Sequence, residues 1–187
     1  EIENMTMSID EGAVMRHLEK LVALKTRYSY SPQIKTAAEY IRGVFESCGL
    51  DVQYHDYLSG AREMKNVIAT LKGANASAPA YYLGAHYDST SGTPYYDAPG
   101  ADDDGTGTAA VMAAAEVLSH YRFNRSIVFC AFSGEEQGLL GSKAYTKMLY
   151  DSGKSVGGAI CLDMVGYNPA PGDSNLLSRA NAISMSL

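Results

Sequence analysis

Ala80-Tyr-Tyr-Leu-Gly-Ala-His86-Tyr-Asp88 is the stretch from which the architecture unfolds. Six residues run from Ala80 to Ala85 without a charged break, then stop at an imidazole and a carboxylate. A short apolar run without alternation fits a strand covered on both faces. Two further runs have the same character. Ser126 to Phe132 leads into Ser133-Gly134-Glu135-Glu136, and Val156 to Val165 carries Asp163 inside it. Helix-length segments separate the three, at Thr106 to Ser119 and about Leu139 to Tyr150. Strands that alternate with helices predict an α/β fold, a mixed but mainly parallel central sheet with helices on both faces. Right-handed crossovers then gather the carboxyl ends of those strands on one edge, where such sheets bind ligands.

Upstream the pattern differs. Ser8 with Glu11 predicts a capping box ahead of Val14, Leu18, Leu21 and Val22. Ser31-Pro32 opens a second predicted helix, with Ile34, Ala37, Ala38, Ile41, Phe45 and Cys48 on one face and Gly49 closing it. Leu50 to Leu58 alternates as a half-buried strand, and Asn66 to Leu71 reads as its antiparallel neighbour.

The 187 residues are 46% hydrophobic and 19% charged, enough apolar material for one sizeable core and too much for a disordered chain. The longest purely apolar stretch, Ala109 to Ala115, is far too short to span a bilayer. A net charge of −6 without a basic cluster argues against a nucleic-acid partner, because phosphate binding needs grouped Lys and Arg. Cys48, Cys130 and Cys161 have no zinc-finger spacing, and Cys130 and Cys161 read as buried, inert thiols. The start at Glu1 reads as a processed product, and Asn4, Asn75 and Asn124 head weak glycosylation-type triplets.

One imidazole and several carboxylates thus meet on one rim from four segments: His86 and Asp88, then Asp102-Asp103-Asp104, then Glu135-Glu136, then Asp163. Each has an ordinary explanation alone. A histidine after a strand is usually just hydrogen-bonded, and acids before a helix are usually caps. Asp163 inside an apolar run is harder to dismiss, since a buried carboxylate is costly unless paired or metal-bound. No Lys or Arg follows any of these strands directly to pair with it. Gathering Asp103, Glu136 and Asp163 in a crevice is repulsive without a cation, and oxygen with imidazole donors suits zinc, with manganese or cobalt also compatible. His86 and Asp88, two apart on an extended segment, share a face, so Asp88 is placed to fix the imidazole's tautomer. Phosphate-loop, nucleophile-elbow, cysteine–histidine and dinucleotide-binding patterns are all absent.

At this point the sequence resembles the di-zinc aminopeptidases of the bacterial leucyl-aminopeptidase type, with glutamate carboxypeptidase-like and glutaminyl-cyclase-like relatives. The likeness rests on Gly84-Ala-His86-Tyr-Asp88-Ser, Pro99-Gly-Ala-Asp-Asp103-Asp-Gly-Thr-Gly, Phe132-Ser-Gly-Glu135-Glu136-Gln-Gly-Leu-Leu-Gly-Ser and Leu162-Asp163-Met. The resemblance implies a zinc-exopeptidase-like fold. It implies that His86 and Asp163 hold one Zn2+, Glu136 the other, and Asp103 bridges the two. Asp88 would orient His86, and Glu135 would be the general base for metal-activated water attacking a peptide with a free N-terminus.

The pattern is also incomplete. The family's second zinc takes a further histidine well beyond the position of Asp163, and no histidine follows His120. One domain over residues 1–187, incomplete after about residue 166, is therefore expected, with Pro169, Pro171 and Gly172 in a loop. One zinc or none, and weak or absent activity, follow as expectations. A secreted or periplasmic location is expected from the family's habits and the absent initiator Met. The alternative is a non-catalytic binding or receptor-like domain on the same fold.

Overall fold

The computed structural model describes Met5 and residues 7–167. The sequence elements appear in the expected order. Helix α1 (Glu11–Val22) and helix α2 (Gln33–Ser47) lead into a hairpin of β1 (Asp51–Ser59) and β2 (Arg62–Leu71). Strand β3 (Ala80–His86) follows, then an irregular turn (Ala101–Thr106) opening helix α3 (Gly107–Leu118). Strand β4 (Ile127–Phe132), helix α4 (Leu140–Asp151) and strand β5 (Val156–Cys161) complete the described chain.

The sheet order is β1-β2-β4-β3-β5. β1 with β2, and β2 with β4, are antiparallel, whereas β3 runs parallel to both β4 and β5. The chain leaves β3 for its neighbour on one side and later arrives at its neighbour on the other. Crossovers of one hand in opposite directions must put their helices on opposite faces. α3 accordingly joins α1 and α2 on one face, and α4 covers the other.

Alternation along the central strands supplies both cores. Val67, Ala69, Phe129 and Ala131 face Leu21, Ile41, Phe45 and Met112. Ile68, Val128 and Cys130 face Tyr145 and Leu149. Phe45 is fully buried with its ring 6.1 Å from that of Phe129. Truncation to alanine removes that contact and leaves a void, so Phe45→Ala is expected to cost about 3–5 kcal/mol of unfolding free energy. Urea denaturation checks this; a midpoint unchanged from the parent chain would contradict the packing.

Three expectations need correction. The cap of α1 is Asp10, not Ser8, since the Asp10 carboxylate accepts the Gly12 N–H at 3.0 Å and the helix starts one residue later. β5 is not covered on both faces by the described residues. No described strand pairs with its outer edge, and Ile160 and Cys161 are exposed, so only Cys130 is the buried thiol expected of both. Gly49 does close α2, at φ 72°, where it donates to Glu46 and Leu50 donates to Phe45. No described helix is long and apolar enough to cross a membrane. The loop expected at Pro169–Gly172 and the Asn4 triplet lie outside the described residues.

Candidate metal centre

The carboxyl ends of β3, β4 and β5 do meet on one edge. His86 ends β3 with its side chain only 5% exposed, and its Nε2 stands 3.1 Å from Asp103 Oδ1 and 4.0 Å from Glu135 Oε2. One donor atom from each of His86, Asp103 and Asp163 lies within 4.8 Å of the others, the one such trio among the described residues. Glu136 falls outside that trio yet close enough for Asp103 to act on it. Burial, then the Asp103 charge, push its carboxyl up to about 7. Glu135 and Asp163 are raised as well, by partial loss of hydration around each carboxyl first and then by neighbouring acids, with His86 opposing in both.

Asp163 sits in this group by position rather than by burial. It is exposed, so the burial argument for a metal fails, and proximity to the other acids takes its place.

The acid run Asp102-Asp103-Asp104 separates into three tasks because its backbone is not helical. Asp103 has φ −97° and ψ 100°, Asp104 has φ −120° and ψ 52°, and the bond between them is cis. Successive side chains therefore point in different directions. Asp102 Oδ1 accepts from Thr106 Oγ1 and from the Gly166 N–H, each at 3.0 Å. Asp103 faces His86 with its side chain 49% exposed. Asp104 turns inward and is fully buried. It accepts the N–H groups of His86 at 3.2 Å, Gly107 at 3.0 Å and Met164 at 3.2 Å, so it joins the ends of β3, α3 and the β5 segment. Burial lifts its carboxyl to about 8 against the pull of His86. A side chain on Gly107 would collide with the Asp104 carboxylate, and glycine leaves that space free.

Asp88 is fully buried beneath this group. Its Oδ2 accepts the Ser29 hydroxyl at 2.8 Å and the Glu136 N–H at 3.4 Å, and its Oδ1 accepts the Glu135 N–H at 3.1 Å. His86 Nδ1 lies 3.5 Å from Asp88 Oδ1 and nearer, at 3.1 Å, to the Asp88 carbonyl oxygen. The backbone of Asp88 is thus the closer partner for the imidazole, and its side chain holds the loop that carries both glutamates.

Arg27 and Ser29, from the segment after α1, escaped the sequence reading. Arg27 is fully buried, donating Nε to Tyr87 O at 2.8 Å, Nη1 to Pro99 O at 2.5 Å and Nη2 to Gly100 O at 2.8 Å. Burial pushes it down to about 10, opposed by the charges of Asp104, Asp88 and Asp103. A cation does attend these acids, but its donors are spent on carbonyls 60 to 73 residues away in sequence, and no short motif signals it. The other histidines lie elsewhere. His17 meets Tyr40 and Glu116, His55 meets Asn66 on the hairpin, and His120 follows the far end of α3.

The profile of peptidase family M28 matches residues 66–183, more than half of the sequence and all of the rim just described. The chain belongs to peptidase family M28.

This M28 chain is 29% identical over 194 residues to a protein of Pyrenophora tritici-repentis named "Probable zinc metalloprotease", covering 91% of this chain and 45% of the relative. It is 29% identical over 180 residues to "Leucine aminopeptidase 1" of Fusarium vanettenii, covering 89% of this chain and 45% of the relative. The chain therefore spans under half the length of these curated relatives. The crystal structure of LapB from Legionella pneumophila superposes with a TM-score of 0.82 at 24% identity, over 92% of this chain and 48% of that one, a likeness of fold. The expected zinc-exopeptidase architecture is the one found.

Proposed function

We propose that this chain carries the metal-binding and water-activating core of a zinc-dependent aminopeptidase. The observation that carries the reading is the trio of donor atoms from His86, Asp103 and Asp163 within 4.8 Å. The donors fit zinc chemically, one imidazole nitrogen with two carboxylate oxygens, and the mutual repulsion of the acids gives the rim a reason to take up a cation. The zinc metalloprotease and leucine aminopeptidase names of the relatives support the same choice.

His86, Asp103 and Asp163 would hold a first zinc, and Asp103 together with Glu136 would hold a second. Bound there, zinc supplies Lewis acidity that makes water a usable nucleophile near neutrality and polarises the scissile carbonyl. Glu135 takes a proton from the attacking water and returns it to the leaving amine, a task suited to a carboxyl raised by burial. Asp88 keeps Glu135 and His86 in mutual register through its side chain and its carbonyl. The surplus of acids on the rim attracts the ammonium group of a peptide's free N-terminus, which directs cleavage to the first residue.

Two measurements test this. Elemental analysis should find one tightly held zinc per chain and a weaker second, because the described residues offer the second position only Asp103 and Glu136. Zinc-loaded protein should hydrolyse leucine 4-nitroanilide slowly, as an incomplete second position requires, and leave its N-acetylated form intact. Failure to retain any zinc defeats the proposal; zinc without hydrolysis returns the binding-domain alternative.

A further inference from the structure

A second feature lies behind the catalytic loop, on the other side of Ser29 and Ser133. A cavity of about 420 Å³ opens between the first turn of α2, the turn joining β1 to β2, and these two serines. Its rim carries Lys35, Arg62 and Lys65 against one acid, Glu63. On a chain of net charge −6, a cavity with cations in excess departs from the average.

The cations are incompletely used. Lys35 has no ion pair among the described residues. Arg62 lies 4.6 Å above the Tyr30 ring, a contact that leaves its N–H groups available to an acceptor, and it too lacks a described carboxylate partner. Lys65 lies 4.4 Å above the Tyr54 ring and reaches Asp56 only at 4.0 Å, so it is the most engaged of the three.

The neutral donors point to the same kind of occupant. Helix α2 is preceded by Pro32 at its capping position, with no side chain capping its first turn and no acid within that turn. Its amide end therefore offers unmatched partial positive charge to the cavity wall formed by Ser31, Ile34 and Lys35. Ser31 is 3% exposed, lines the cavity, and its hydroxyl has no hydrogen-bond partner among the described residues. Buried hydroxyls are nearly always satisfied, so a donor left idle beside an uncapped helix and unpaired cations calls for an acceptor from outside the chain.

We infer that this cavity is a binding site for a small oxyanion, held by Ser31, Lys35, Arg62 and the amino end of α2. Two sources share that chemistry, free inorganic phosphate and a carboxylate borne on a peptide. The cavity lies apart from the His86–Asp103–Asp163 group, and the inference does not depend on hydrolysis.

The experiment uses isothermal titration of zinc-loaded protein with inorganic phosphate at fixed ionic strength, alongside the K35Q/R62Q double variant. Phosphate captured at zinc persists in both proteins, so the difference reports the cavity. A saturable component weakened at least tenfold in the double variant, and reduced in Ser31→Ala, is expected. Titration with an N-acetylated dipeptide as its free acid and as its amide distinguishes the sources, since the acid alone should lose affinity in the double variant if peptide carboxylates bind. Zinc content and thermal midpoint equal to the parent's show that the variants fold. Identical binding by parent and variant for both phosphate and peptide acid, or no saturable binding of either, overturns the inference.

Discussion

Glutamine in place of Glu135 is expected to lower the turnover of leucine 4-nitroanilide by about 10²–10⁴-fold, the usual contribution of a positioned general base, without changing zinc content. The substitution is nearly isosteric, and the backbone N–H of residue 135 still donates to Asp88, so the loop keeps its place. What disappears is a carboxylate raised by burial and by Asp88, Asp163 and Asp103 against the pull of His86. An amide cannot accept the water proton. Initial rates, together with zinc measured on the same samples, separate loss of the base from loss of metal. Parent-like turnover by a fully loaded variant would remove Glu135 from the chemistry.

His86→Ala should reduce zinc affinity by about 10²-fold, if the roughly 10–16 kcal/mol typical of a four-ligand protein zinc site is shared among its ligands. The same residue sets a pH dependence. Burial pushes the His86 imidazole down, but its hydrogen bond to Asp88 and the charges of Asp104, Asp88 and Glu135 outweigh burial and raise it to about 9. The metal-free imidazole is therefore protonated at neutral pH, and zinc must displace that proton. Apparent affinity should climb with pH up to about 9, by at most about tenfold per unit from this group, and stop gaining from it above. Competition titrations against a chelator at several pH values test both claims, because the alanine variant should lose affinity and this share of the slope together. A variant that binds zinc as the parent does would show that the imidazole is no ligand.

How much of this was legible in the residues follows from the range of each interaction. Strands β3 and β4 and their helices announce themselves by local pattern, and His86, Asp103 and Asp163 follow because parallel strands deliver their ends to one edge. The separate tasks of Asp102, Asp103 and Asp104 depend on backbone torsions that three identical letters do not encode. Arg27 and Ser29 act on residues about 60 or more positions away, beyond any local motif. The exposure of β5 and Asp163 among the described residues is invisible to composition, because an apolar run reads the same whether or not a further strand pairs beside it. Asp10 took the cap from Ser8 by a shift of register well within the fraying of helix ends.

The placement of β3 between the strands that follow it has an evolutionary consequence. The two described connections that leave the site edge, after β3 and β4, lead to helices on opposite faces of the sheet. Insertions within residues 90–97, a mostly exposed part of the first of them, can remodel which molecules are admitted while His86, Asp88 and Asp103 on either side stay anchored. Diversification of such a scaffold is accordingly expected to accumulate in that loop, with the hairpin and the helical faces changing mainly to preserve packing.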